Sequence, residues 1–409
     1  MDGLVKNKIG SRLKKLILSH NLFVFGRELF LIFMALYIWN QTKSLPTVAL
    51  FSISYLVFHT ISFTLFANSV KNGSKKLIRN IGIIGTAIFF VILFLLKDNA
   101  INYLNILGAI LGFFNGMYWI AYHIIRFDLT NTENRGNFHG MSGGLKTVFL
   151  MLVPIIGGAL ITYNLFGFGY GNIFILGSII YLLSLLFGKI KMPHLKTPKL
   201  HLLQTFKLIF KNKEMKKYVL GAFFGNMSQR GSLERLIPIL LFDILQNEFH
   251  VGGWLTMFTA ISIITTIIIG KFIPYKHYKN SILIGGGLFF LSILALAGIP
   301  MLITYILFGF VREIILPLLS IPRKVYKDNL VNTFENLETH RVEYIVIMEW
   351  FTVTFGRLIG WSVLLFVTSL HGTAMQYALF AISIGVVLET LFLRSIKINL
   401  NLKRPVGAE

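Results

Sequence analysis

No cysteine occurs among the 409 residues, which excludes disulfides, thiol catalysis and thiolate-bound metal. Charge is scarce as well. Only 14% of residues are Asp, Glu, Lys or Arg, where a soluble domain carries about a quarter. Acids are the scarcer kind, 17 against 39 Lys and Arg, so the formal net charge is +22. Two further motifs are missing. There is no Gly-rich phosphate loop ending in Gly-Lys-Ser/Thr and no His-Glu-x-x-His pair, so neither ATP-driven transport by this chain nor a metal or other cofactor is expected. What is abundant is apolar: 55% of residues are hydrophobic, 38 are Phe, and the mean hydropathy is +0.70. The basic excess does not mark a nucleic-acid binder. Lys and Arg sit in short links between long apolar runs, not on one basic arm or face.

The apolar runs predict an all-α polytopic membrane protein of about twelve transmembrane helices, each needing roughly 20 residues to cross. Segments 1 to 6 cover residues 21–40, 46–69, 79–96, 103–127, 141–163 and 172–188. Segments 7 to 12 cover 218–245, 251–273, 281–298, 301–321, 342–370 and 374–393. Lys6, Lys8, Arg12, Lys14 and Lys15 open the chain, and no small-residue cleavage site follows, so segment 1 reads as a retained span.

Placing both termini inside leaves only Lys43 and Lys97 in the outer links, while nearly all other Lys and Arg fall in inner links and termini. That is the positive-inside bias, and it predicts a multi-pass protein of the cell membrane with cytoplasmic termini. The central basic stretch, 189–217, separates an N-terminal six-helix bundle (1–188) from a C-terminal one (218–409). Within it, 200–210 reads as a short amphipathic helix on the inner surface. The halves echo each other. Gly112 precedes Arg126 by the same spacing as Gly309 precedes Arg323, and Glu133/Arg135 is answered by Glu338/Arg341.

Three local patterns sharpen the reading. Between segments 2 and 3, Phe66 and Val70 to Lys76 keep a glycine and a basic cluster (Gly73, Lys75, Lys76). After segment 4 comes Glu133-Asn-Arg135-Gly136, leading into Gly140, and segment 5 carries Val153-Pro154 followed by Gly157-Gly158. A counterpart of the first pattern, Gly270-Lys271, lies between segments 8 and 9. In this order and between these segments, the patterns resemble the major facilitator superfamily. The resemblance implies two pseudo-symmetric six-helix bundles with segments 1, 4, 7 and 10 around a central cavity. It also implies gating roles for Gly73, Lys75, Lys76, Arg135, Pro154, Gly157, Gly158 and Gly270. The family's Asp in the first pattern is Val70 here, which leaves the inner latch of that family without its acid. The Pro154-Gly157-Gly158 pattern is similar to that of antiporters and tilts the expectation toward proton-driven efflux.

Ionised groups inside hydrocarbon cost about 2.5–3.5 kcal/mol each, so those within the segments should face a cavity or one another. The expected substrate set is Arg27, Asn115, Trp119, Tyr122, His123, Arg126, Lys146, Arg230, Arg235, Arg312 and Arg357. Asn115, Trp119, Tyr122, His123 and Arg126 share one helical face, and Gly108, Gly112 and Gly116 permit close helix approach beside it. Candidates for proton coupling are Glu28, Glu234, Glu313 and Glu349. Arg230 and Glu234 are positioned to pair along segment 7. Arg27/Glu28 and Arg312/Glu313 are adjacent in sequence, so each residue is expected to find its partner on another helix. The excess of cations over acids points to an anionic or zwitterionic small-molecule substrate. His59 reads as a packing residue. The His123-x4-Asp128 spelling of lipid acyltransferases is discounted, because positions five apart on a helix diverge by about 140°.

The expectation is therefore a monomeric secondary transporter that works by alternating access, exchanges protons and is surrounded by lipid, and that is not an enzyme. The competing readings are an uncoupled facilitator or lipid-linked flippase, a membrane enzyme acting on lipid, and a transporter-like sensor.

Overall fold

The computed structural model describes residues 10–130, 134–164, 167–188, 200–299, 301–332 and 340–397. Labels α1 to α12 follow the twelve predicted segments. They are α1 Ser11–Thr42, α2 Leu45–Leu65, α3 Lys75–Leu96, α4 Leu104–Leu129, α5 Arg135–Thr162 and α6 Gly171–Phe187. In the second half, α7 joins Lys213–Met227 to Leu233–Leu245 through a π turn at Ser228–Ser232. Then come α8 Glu248–Phe272, α9 Tyr278–Gly298 and α10 Leu302–Asn332. A second π turn, Trp350–Thr354, joins Arg341–Glu349 to Phe355–Leu364 in α11, and α12 is Thr373–Arg394.

By length and composition, seven helical stretches among the described residues suit a membrane crossing, one being the run Leu45–Leu129 that holds α2, α3 and α4. α6 is a shorter apolar helix. α7 and α11 stand outside that count; each is broken by a π turn and carries charged residues.

Polar caps set several starts. Ser44 accepts the Thr47 amide ahead of α2, with Pro46 in its first turn, and Asn247 accepts the His250 amide ahead of α8. Asn212 does the same for α7 through the Glu214 and Met215 amides.

The helices outrun the apolar segments at the basic end of the molecule, the end where the links rich in Lys and Arg lie. α1 already begins at Ser11, and α10 continues to Asn332. Arg323, Lys324 and Lys327, expected in a link, are thus helical, as are Lys75, Lys76 and Arg79 on α3. Hydropathy marks only the stretch in hydrocarbon, whereas backbone bonding carries a helix on into the interface. In the other direction α11 stops at Leu364, short of the expected 370. Residues 202–211 form the expected amphipathic helix, with Thr205 and Ile209 buried and Leu203, Lys207 and Lys211 exposed.

Packing repeats with an offset of six helices. α2 lies on α4 as α8 lies on α10, α3 contacts α4 and α6 as α9 contacts α10 and α12, and α1 contacts α5 and α6 as α7 contacts α11 and α12. The glycines explain how closely. A methyl on Gly112 would overlap the Tyr55 carbonyl of α2, and one on Gly309 would overlap the Phe258 ring of α8. The spacing echo seen in the sequence is therefore an equivalence of contact.

Gly112→Leu should break the α2–α4 contact, lowering the melting temperature of purified protein by several degrees or preventing monodisperse purification, since overpacking costs about 1–3 kcal/mol or more. Gly270→Leu, where the nearest atom to an added methyl is Ile321 Cδ1 at 3.8 Å, should leave the melting temperature unchanged.

Candidate functional site

A narrow cavity lies where the two halves meet. Its walls come from Leu31, Met34 and Ala35 on α1, Ser52 and Tyr55 on α2, Gly231 and Arg235 on α7, and Arg357 and Trp361 on α11. The space is narrow, holding little more than a water molecule in this conformation. Two arginines reach it from the second half. Arg235 Nη1 donates to the Leu31 carbonyl at 2.9 Å, and Arg357 Nε donates to Asn226 Oδ1 at 3.4 Å. Among the described residues neither has a carboxylate partner within ion-pair distance.

The first half answers with Arg27 and Glu28 on α1. These two pair with each other, Arg27 Nε donating to Glu28 Oε1 at 3.1 Å and Nη2 making a second contact. The expectation that adjacent residues must each find a partner on another helix is overturned here and at Arg312–Glu313, which also pair together. The long arginine side chain folds back across the angle that separates neighbouring Cβ atoms, and the planar guanidinium then meets the carboxylate edge-on. Lys146 on α5 and Arg235 on α7 also act on Glu28, bringing charges from three helices to one place.

An aromatic wall from α1 and α4 backs this group. Arg27 sits over the Trp119 ring at 5.3 Å, and Trp119 meets His20 edge-on. His20 stacks on Tyr122 and its Nδ1 lies 2.9 Å from the Tyr118 hydroxyl. Trp119, Tyr122 and His123 thus share one cluster, with Arg126 over the Tyr122 ring. Asn115 departs from that face. It is fully buried between α2 and α3, accepting from the Tyr55 hydroxyl at 3.5 Å and donating to Thr86 at 3.4 Å. It supports a cavity residue instead of lining the cavity.

Both ends of the cavity are shut. At the basic end, Lys71 on the α2–α3 link donates to Glu343 of α11 at 2.5 Å, and both are buried. Glu343 also accepts the His201 amide at 3.0 Å. Beside them Lys75 pairs with Asp128, which lies 4.0 Å from Arg341 of α11. Farther in, Thr64 accepts from Trp350 Nε1, and the hydroxyls of Thr60 and Thr354 are 2.8 Å apart. At the opposite end α5 lies directly on α8, where Thr162 accepts the Phe249 amide, and the hydroxyl of Tyr170, just ahead of α6, donates to Glu248. A methyl on Gly158 would overlap the Glu248 carbonyl, and one on Gly252 would overlap that of Pro154.

Val70 leaves the α2–α3 link without an acid, yet a closure is made at the basic end, with the polarity reversed: the cation is on the link and the acid is on α11. Gly73 has φ of 103°, a conformation that requires glycine, and this turn presents Lys71 and Lys75 to their partners. Gly157 lies against Phe33 of α1. Lys76 is exposed, and Gly270 makes no close approach. Glu234 is exposed beside Arg235, and Arg312 and Glu313, paired with each other on α10, are not among the cavity-lining residues; Thr265 of α8 donates to the Glu313 carbonyl. The side chains of Arg135 and Arg230, and all of Glu133 and Glu338, lie outside the described residues.

Sequence reasoning missed several groups. Arg79, counted as a link residue, is fully buried; it donates to Ser19 and to the Gly188 carbonyl at the end of α6. Glu389 on α12 is fully buried, paired with Arg323 at 2.8 Å and accepting from Gln229 at 2.6 Å. A lone acid inside an apolar run was the available signal for Glu389. His59, taken as packing, stands 3.8 Å from Glu349 across the two halves.

A narrow, largely apolar cavity that carries two arginines, set between two repeated helical halves with different helix pairs in contact at each end, is the architecture of a membrane transporter for small molecules. Residues 16–322 match the model of the Major Facilitator Superfamily, and the chain belongs to that family. It is 24% identical over 367 residues to the uncharacterized protein YqgE of Bacillus subtilis (strain 168), covering 89% of this chain and 85% of that one. Among solved structures, it resembles a bacterial homolog of the human lysosomal transporter Spinster in an inward-facing, unoccupied conformation. The TM-score there is 0.67 at 14% identity, with 95% of this chain and 97% of that one covered. A bacterial homologue of the iron transporter ferroportin in an inward-facing state gives 0.63 at 14% identity, covering 93% and 97%. At such identities the likeness is one of fold.

Removing one partner of a buried ion pair costs about 3–5 kcal/mol, because the other charge is left unanswered. Glu343→Gln should therefore loosen the basic end. With no native cysteine, a single Thr64→Cys reporter can be alkylated in isolation, and its rate should rise at least about tenfold in Glu343→Gln. The double exchange Lys71→Glu with Glu343→Lys should return the rate toward that of the parent.

Proposed function

We propose that this chain is a secondary active transporter, not an enzyme, moving a small anionic or zwitterionic solute by alternating access and driven by coupled proton movement. The observation that carries this reading is the pair Arg235 and Arg357 at one narrow cavity, held by neutral oxygens, with Arg27 and Lys146 opposite. Guanidinium groups whose bonds go to uncharged acceptors keep their charge for a carboxylate or phosphate, which they bind through two parallel N–H donors.

The working parts are a bundle of residues 1–188, a cytoplasmic linker 189–217 and a bundle of residues 218–409, in about twelve spans. The two rock about the central site, opening the α2–α11 seam on one side of the membrane and the α5–α8 seam on the other. Cytoplasmic termini, a cell-membrane location and a monomeric state complete the reading. Glu28 and Glu349 are the better-placed proton carriers, since both lie within reach of the cavity cations; Glu234 and Glu313 rank behind them. The Pro154-Gly157-Gly158 pattern, of which Pro154 and Gly158 lie in the α5–α8 contact, gives a lean toward export.

Reconstitution into liposomes with an internal pH-sensitive dye, challenged with pools of small anions, zwitterions and cationic drugs, tests this. Proton flux should appear with an anionic or zwitterionic pool and fall at least about tenfold in Arg235→Gln and Arg357→Gln, which remove charge-assisted hydrogen bonds worth roughly 1.5–3 kcal/mol each. Flux with the cationic pool alone, unchanged in both variants, would overturn the substrate class.

A further inference from the structure

We propose that His59 and Glu349 together form a proton-binding site that is complete only when the two halves meet along the α2–α11 seam. This rests on the proton-coupled reading above and names the group that would carry the proton.

His59 is held firmly on the first half. Its backbone is pressed by Gly112 and Gly116 of α4, so α2 cannot slide there without disturbing α4. The ring is buried, 6% exposed, and among the described residues its Nδ1 has no hydrogen-bond partner. An imidazole nitrogen left this way in a bundle core costs free energy unless something supplies a bond in part of the cycle. Glu349 of the second half stands opposite, Oε1 3.8 Å from that nitrogen. The gap is too long for a hydrogen bond but short enough that one proton, arriving from water, could bridge carboxyl and imidazole after a small approach.

Two features make the approach depend on the conformation. Glu349 immediately precedes the π turn Trp350–Thr354, an irregular turn of the kind that often marks functional positions in helices. The pair is also bracketed by cross-half bonds, Thr60 to Thr354 and Trp350 to Thr64. When the halves part here, the two groups separate, and a bridging proton loses one of its two acceptors and leaves to the open side. The charged and titratable groups around the pair are Arg27 on α1, Tyr55 on α2, His123 on α4, Lys327 on α10 and Arg357 on α11. Arg27 and Arg357 act on both members, so an anion bound in the cavity and a proton on the pair would sense each other through the same two cations.

Infrared difference spectroscopy of the full chain in lipid nanodiscs, titrated between about pH 5 and pH 8 where histidine ordinarily changes charge, reads this without any substrate. Wild-type protein should show a protonated-carboxyl band that titrates. Glu349→Gln should remove that band, and His59→Gln should move its midpoint by about one pH unit or more. No titrating carboxyl band in wild type, or a band that survives Glu349→Gln, overturns the site, as does an unmoved midpoint in His59→Gln. Liposomes separate this site from the general reading. A normal band with no proton flux in any solute pool supports the site and removes the coupled-transport reading, whereas wild-type flux that persists in both variants overturns the site as the coupling group.

Discussion

Charge inside a helical bundle must be answered within hydrocarbon, and in this chain many of the answers lie across the boundary between the halves. Lys71 meets Glu343, Asp128 approaches Arg341, His59 faces Glu349, and Arg235 reaches the Leu31 carbonyl. A buried ion is too costly to leave unpaired. The bonded contacts, Lys71–Glu343 and Arg235 to the Leu31 carbonyl, therefore resist separation of the halves beside the cavity. The same groups become the natural points of control, since opening either side means trading these partners for water or solute.

The two ends are sealed by different chemistry. At the basic end the seal is electrostatic, centred on Glu343 and Asp128 and tied to the linker through the His201 amide. At the opposite end it is mainly steric, with glycines of α5 and α8 letting backbone approach backbone beside two hydrogen bonds, Tyr170 to Glu248 and the Phe249 amide to Thr162. A steric seam tolerates rocking about a close contact, while an ionic seam changes sharply between bound and broken. The two seams therefore part in different ways, one by breaking ion pairs and the other by separating close-packed backbone.

Much of the fold was legible in the sequence because lipid imposes one rule on every span: about 20 apolar residues in a hydrogen-bonded helix. Segment 4 was read with edges close to Leu104–Leu129, and the glycine spacing at Gly108, Gly112 and Gly116 correctly announced a close neighbour. The ends on the basic side were misjudged for the same reason that the cores were right, since hydropathy is silent about where a helix stops once it leaves hydrocarbon. Arg79 and Arg323 looked like solvated link residues and proved to be buried partners of α6 and α12.

The candidate site was legible in kind but not in wiring. Sequence alone determined that this is a lipid-embedded helical protein in two related halves, with arginines and glutamates kept inside at a cost that demands a use. Hydrophobic periodicity and charge placement are local properties, and one chain displays them fully. Only the tertiary structure decided that Arg27 folds onto Glu28, that Asn115 supports Tyr55 behind the cavity wall, and that Glu349 stands opposite His59. Pairings between residues hundreds of positions apart depend on helix rotation and crossing, which packing sets and no spacing along the chain records.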